Sequence, residues 1–326
     1  MKILEATYQI VTPMFIGDAE QKATDLRPPS IKGALRFWWR ALNWGNVDSL
    51  KELHEKESHL FGSSEIDGKG GQGVFLLQVS KQPKIDNKDN DIWPKVPRSR
   101  NEIEGSTYMG FGLMQSGNTE RGNFQSHREA IKEEHKGKHN NFTISLVFKP
   151  KNIHLDDDIE SIKETLEIWG LFGGLGSRVR NAFGSVSLLS DNYSLEEYCK
   201  KINILLDNYK KIDFPPYTAF SQHSHFEIIQ SSETNTAKES HEEAGIKYKE
   251  KRSEIDLDNR IPLGLPLNKV NNNDRRSSPL IFHVHPLKNG KFVTGILYLP
   301  AEFHPDYPQH NLTNFYQPAT QLLNKI

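Results

Sequence analysis

Cysteine is almost absent: Cys199 stands alone in 326 residues, so no internal disulfide can form and nothing suggests a zinc site built on thiolates. Long apolar runs are absent too. Nothing approaches the roughly 18 consecutive apolar residues of a membrane-crossing helix. The opening Met1-Lys2-Ile3-Leu4-Glu5 places an acid where a secretory segment is apolar, so no signal peptide is expected and the setting is read as cytoplasmic. An excess of one charge is also missing: 41 Lys and Arg face 42 Asp and Glu, for a net charge of -1. A free, promiscuous nucleic-acid binder is normally basic overall and is disfavoured. A subunit with one local basic surface, and other faces covered by protein partners, is not.

What is present suffices for real cores. Hydrophobic residues make up 36% of the chain, with 17 Phe and 5 Trp, while a mean hydropathy of -0.64 points to polar insertions between those cores. The length exceeds one average domain, and two are expected, 1–190 and 191–326.

Residues 3–16 read as a strand closed by Pro13 and Gly17. Pro28-Pro29-Ser30 stops the chain and offers Ser30 as an N-cap for a helix over 31–44. Strands are expected at 74–79, 108–114, 142–148 and 183–189, and a helix at 157–172. The segments 81–107 and 115–140 read as a loop and an exposed polar insertion. In the second half, 194–211 looks helical, 216–229 extended, and 231–260 a charged, solvated helix with loops. A hairpin at 279–299 crosses Lys288-Asn289-Gly290, and a terminal helix starts near 309. Helices flanked by strands give the class α+β, with two ferredoxin-like (RRM-like) domains carrying polar insertions.

Two stretches concentrate positive charge or glycine. In 27–40, Arg27, Lys32, Arg36 and Arg40 occur without an acid. The 32/36/40 spacing makes one helical stripe, and a helix start with free N–H groups suits phosphate. Gly33 leaves room for another backbone. A solvated amphipathic face is the plain alternative. Trp38 and Trp39 are assigned to the core. In 173–184, Gly173, Gly174 and Gly176 allow an amide-lined anion nest, to which Ser177, Arg178 and Arg180 add a hydroxyl and charge. It is neither a Walker loop nor a dinucleotide fingerprint, because the required lysine and third glycine are missing. A structural turn is the plain alternative here.

The segments TPMFIG (12–17) and LRPPSIKGALRFWWRAL (26–42) resemble the opening of the end-capping RAMP subunit of type III-B (Cmr) CRISPR complexes. LFGS (60–63), GGLGSRVRNAFGS (173–185) and RRSSPLIF (275–282) follow in that family's order. The resemblance implies two ferredoxin-like RAMP domains, a glycine loop that contacts RNA, and assembly with other type III-B backbone and small subunits. It also implies holding the 3′ part of a guide RNA and the 5′ part of its target. By match, Lys32, Arg36 and Arg40 correspond to the family's basic helix, and Gly173, Gly174, Gly176 and Arg178 to its loop. The chain departs from the family where Asp18 stands at a common glycine, and where Asn181-Ala182 replaces a basic residue and glycine. Arg275 and Arg276 are weaker RNA candidates that could instead pair with acids.

Thirteen histidines invite an enzyme reading. The His223/His225 and His283/His285 pairs lack a nearby third ligand and are read as structural or surface residues. Asp18 and Glu20 are read as a solvated turn. Asp156-Asp157-Asp158 complements a helix start. No nucleophile–base arrangement stands out, so a non-catalytic protein with no cofactor and no metal is expected. A metal-independent guide-processing ribonuclease with a histidine base is the enzyme alternative; a subunit touching only protein is another.

Overall fold

A computed structural model describes residues 2–20, 22–64, 70–85, 93–94, 103–116, 124–150, 154–229, 232–307 and 310–326; for 114–116 and 124–127 only the backbone is described. Much of the 81–107 segment lies outside the described residues. The first half is built on four strands: β1 (Ile3–Ile10), β2 (Phe75–Lys81), β3 (Asn141–Phe148) and β4 (Val186–Leu188). Helix α1 (Pro28–Asn43) follows β1, and after the further helices α2 (Leu50–Phe61) and α3 (Gly105–Met109), α4 (Leu155–Phe172) joins β3 to β4. The antiparallel sheet runs in the order β4–β1–β3–β2. This βαββαβ order is the ferredoxin-like arrangement.

Alternation along β1 sends Leu4, Ala6, Tyr8 and Ile10 towards the helices. There Tyr8 meets Trp169 of α4 with ring centroids 4.6 Å apart, and its hydroxyl donates to Leu166 O. The opposite face presents Glu5, Thr7, Gln78, Ser80, Thr143 and Ser145, and no aromatic ring among the described residues. It therefore lacks the stacking platform by which RRM sheets hold bases.

Three local readings are corrected. Helix α1 is entered from Arg27, not Ser30. Proline fits the first helical positions because its missing N–H would go unbonded there, so Pro28 and Pro29 start the helix. Residues 105–109 are helical, where a loop up to 107 and a strand from 108 were expected, because α3 packs on a later helix where Gly245 approaches Gly105 O. The 115–140 segment is not wholly an exposed insertion: Ile131 is buried and forms a two-way antiparallel bridge with Met14, both N···O distances being 2.9 Å.

The second half contains α5 (Leu195–Asp207), β5 (His225–Ile228), α6 (Ala237–Ser253), β6 (Leu280–Pro286), β7 (Phe292–Tyr298) and α7 (Gln317–Asn324). Its sheet runs β5–β7–β6, the ferredoxin-like order without a fourth strand among the described residues. The expected hairpin is present as β6 and β7. The charged 231–260 segment is more than a solvated helix. Helix α6 buries Ser240, His241 and Ala244, and Ser240 Oγ lies 2.8 Å from Thr294 Oγ1 of β7.

Both halves contribute to both apolar cores. One core joins Trp169 and Phe172 to Phe220 and Phe226; the other joins Phe15 and Phe183 to Phe282. The loop after α4 is wedged between them. Phe282 N donates to Arg180 O at 2.8 Å, and His283 Nδ1 donates to Gly173 O at 3.0 Å.

Candidate nucleic-acid interface

Helix α1 buries Ile31, Leu35, Trp38, Trp39 and Leu42. Both tryptophans are core: Trp38 stacks on Phe172, and Trp39 Nε1 donates to Ser161 Oγ. That seating turns Lys32, Arg36 and Arg40 together onto one half-buried flank.

The stripe has a partner that the sequence reading missed. Helix α2 places Glu57, only 3% exposed, against it. Arg36 Nε and Arg40 Nη1 both donate to Glu57 Oε1, at 2.6 and 3.1 Å. The two arginines are thereby prearranged, and one of their two charges is cancelled. Lys32 lies with Nζ 5.7 Å from the Phe75 ring centroid. Partial burial, followed by repulsion from Arg36 and Lys149, lowers its pKa.

Phe37, one residue beyond Arg36, links helix and loop. The Arg180 guanidinium lies 5.4 Å from its ring centroid and donates to Ser278 O at 2.8 Å. Burial and then the neighbouring charge of Arg276 push the Arg180 pKa down to about 10. Phe37, Arg40, Glu57, Arg276, His54 and Tyr217 line one open cleft of about 430 Å³. Lys149, Lys32, Arg36, Arg40, Arg276 and Arg180 therefore form a continuous cationic band, with Glu57 as the acid bonded within it. Cations gathered this closely form a surface that suits a polyanion. Arg275 is turned away onto the carbonyls of Asn272, Asn273 and Asp274.

The glycine loop is packed into the fold at its base. Gly173 and Gly174 are buried. A Cβ at Gly174 would sit 2.4 Å from Gly184 O, so this glycine serves close packing. The amides of Gly173, Leu175, Ser177, Ala182, Phe183 and Gly184 are spent on backbone carbonyls. These bonds tie the loop down along much of its length. The start of α1 does not supply an anion site: Pro28 and Pro29 carry no N–H, and Ser30 N donates to Arg27 O. Exposed Arg27 keeps only its charge.

The loop's outward part is Gly176–Val179. Gly176 has φ +99, and a Cβ there would meet Phe15 O at 2.7 Å. Arg178 is held at φ 61, with its guanidinium over Gly112 and near Arg128. Arg178 and Arg180 thus face different neighbours. Of the divergent pair, Asn181 Nδ2 donates to Met109 O, and Ala182 is buried at φ 62, where glycine has no steric cost.

Gly33 is exposed, and a Cβ there would touch nothing within 4 Å. Gly33→Ala should therefore raise unfolding stability by about 1 kcal/mol in urea titration.

The histidine pairs do not build a metal centre. His283 and His285 are buried on β6, the latter stacked on Tyr198 at 4.0 Å. His223 Nε2 pairs with Asp213 at 3.0 Å, and His225 with Glu227 at 3.4 Å. Among the described residues, Asp274, His304 and Asp306 are the group whose ligand atoms converge, within 4.8 Å of one another. Asp274 Oδ2 already accepts from Asn271 Nδ2. No helix among the described residues is long and apolar enough to cross a membrane.

Comparison with known proteins adds three findings. The family pattern of the RAMP superfamily matches residues 7–187, more than half of the chain. The CRISPR system Cmr subunit Cmr1-2 of Pyrococcus furiosus is 37% identical over 60 residues, 17% of this chain; the chain thus spans only 30% of that curated relative. The crystal structure of Cmr1 from Pyrococcus furiosus in its apo form superposes with a TM-score of 0.61 at 21% identity, over 99% of this chain and 97% of the other. At that identity the likeness establishes a shared fold.

Proposed function

The chain belongs to the RAMP superfamily, and on that premise we propose that it is a non-catalytic subunit of a type III-B (Cmr) CRISPR effector complex that grips RNA by its backbone. The relatives named for Cmr subunits support the assignment to that complex. The proposed ligand is the 3′ region of a guide RNA and the 5′ region of its paired target. Base pairing supplies sequence specificity in such complexes, so the subunit needs only charge and shape.

One observation carries the reading: four arginines, Arg36, Arg40, Arg180 and Arg276, converge around Phe37 and a cleft. Arg178 extends the cationic surface from the exposed part of the loop, and the rigid packing of Gly173 and Gly174 fixes its place. Arginine's planar fork suits phosphate.

Arg178→Gly separates binding from folding. Relief of the left-handed backbone, about 1–2 kcal/mol, offsets the glycine's extra unfolded-state entropy. Stability should stay within about 1 kcal/mol of the parent. Affinity for a guide–target duplex should fall several-fold, and the salt slope should become shallower by somewhat less than about one unit. A fully folded variant with unchanged affinity would remove Arg178 from the interface.

A second reading rests on His54, which lines the same cleft as Arg40, Arg276 and Tyr217. A histidine beside arginines could act as base in metal-independent RNA cleavage. Our reading expects no cleavage of repeat RNA by the purified chain in chelator; cleavage abolished by His54→Ala would favour the enzyme.

A further inference from the structure

A second groove lies away from the arginine cleft, at the edge of the first sheet. It holds about 800 Å³ between β1, the end of β4 and the outer side of α4. Strand β4 is short. It pairs with Tyr8–Ile10 of β1, and its last contact is Leu189 N donating to Thr7 O, after which the chain turns away at Ser190 and Asp191. Antiparallel strands alternate the side to which their N–H and C=O groups point. The bond from Phe148 N to Lys2 O and the bond from Ile10 N to Asn140 O fix that alternation on the β3 side. The backbone groups of Ile3 and Glu5 therefore lie on the open edge of β1 that borders the groove, and no described residue completes them.

The walls supply charge and apolar contact. Four carboxylates line the groove on the helix side (Glu160, Glu164, Glu167 and Asp191) against the single ammonium of Lys163, while Glu5 turns its carboxylate to Ser145 on the other face. Lys163 bonds Glu160, and Lys201 from α5 bonds Glu167, leaving the acids in excess. Burial and repulsion from Glu167 and Glu160 raise the Glu164 pKa; Asp191, crowded by burial and Glu167, is pushed up to about 6. Asp191 Oδ2 is buried with no hydrogen-bond partner. Leu188 and Leu189 form the apolar part, and Leu189 is 52% exposed. An open strand edge beside a negative wall selects by backbone pairing and by charge.

We propose that this groove docks an extended protein segment of about four residues, pairing with the Ile3–Glu5 edge and presenting lysine or arginine at alternate positions towards α4. The alternate side chains of such a strand project to opposite faces, so its cations meet Glu164, Glu167 and Asp191 on the α4 side while its apolar residues share the other face with exposed Leu189. A nucleic acid is the wrong sign for this wall. The proposal is independent of the arginine cleft and survives or fails separately from it.

The test uses the full chain and a fluorescein-labelled peptide, Lys-Val-Lys-Val-Lys-Val, read by fluorescence anisotropy. Saturable binding is expected. A peptide of the same charge, N-methylated at alternate amides, should bind at least tenfold more weakly, because it cannot donate to the strand edge. The double variant Glu164→Gln/Glu167→Gln should also bind the parent peptide at least tenfold more weakly while keeping its RNA affinity. Equal binding of the methylated peptide to the unaltered chain would reduce the effect to charge alone and overturn the proposal. So would unchanged peptide binding by the double variant, or a loss of RNA affinity in its place.

Discussion

Replacing Arg36 and Arg40 together by Gln, with Glu57 left in place, is expected to destabilise the fold by about 3 kcal/mol. Glu57 is 3% exposed, and both of its cationic partners come from those two side chains. Their removal strands a buried carboxylate, the costly outcome when one side of an interior ion pair is deleted. The figure sits at the low end of the usual range because the two arginine side chains are 32% and 39% exposed and water reaches their outer atoms. The triple variant Arg36→Gln/Arg40→Gln/Glu57→Gln removes the whole charge group and should return to within about 1 kcal/mol of the parent. Urea midpoints at neutral pH decide this. Equal stability of the double and parent chains would mean that Glu57 does not organise the stripe. The result also governs how binding is tested: arginine substitutions made alone would mix loss of contact with loss of structure.

Acid is expected to unfold the chain in a narrow range through three buried imidazoles. Burial lowers the pKa of His241 to about 4 and of His283 to about 3, and holds His285 well below its ordinary value. In the unfolded chain each takes up a proton near pH 6.5, while the folded chain refuses it. The unfolded state therefore binds more protons below that pH, and stability falls as pH falls. Each histidine costs about 1.4 kcal/mol per pH unit between its unfolded and folded pKa, or about 4 kcal/mol per unit for three. Asp191 acts in the opposite sense. Its raised pKa of about 6 makes the folded state the better proton acceptor below pH 6, which trims the slope there.

Two of the histidines also hold the glycine loop. His283 donates to Gly173 O, and His241 Nε2 donates to Asn181 O while its Nδ1 accepts from Ser106 Oγ. Unfolding driven by their protonation should therefore release the loop together with the core. Urea midpoints measured from pH 7 to pH 5 should drop steeply; a flat profile would contradict the neutral, buried state of these residues.

The first half was legible because its signals are local. Alternation at 142–148, the apolar spacing of 31–42 and the 157–172 helix give the strands and helices directly. Helix α2, which carries Glu57, was missed because Leu50–Phe61 is dominated by charge. Its start was nonetheless marked: Ser49 accepts from Glu52 N, and Asp48 N donates to Glu52 Oε2, a serine-x-x-glutamate signature. Ser30 misled because two prolines had already begun the helix. The tied state of the glycine loop could not be read locally. Its amides bond to Pro13 and Phe15, some 170 residues earlier in the chain, through pairings that no short window contains. Likewise α6 looked solvated because its buried face is made of small and polar residues, Ser240, His241 and Ala244.

The measurement that bears most directly on the account is the salt dependence of guide–target duplex binding by a variant that keeps its fold. Arg36→Gln/Arg40→Gln/Glu57→Gln combined with Arg276→Gln removes three arginines from the cationic band without stranding the buried acid. The account predicts at least a hundredfold loss of affinity at low salt and a log–log salt slope shallower by about two units. A folded variant that binds the duplex with the parent's affinity and slope would contradict it.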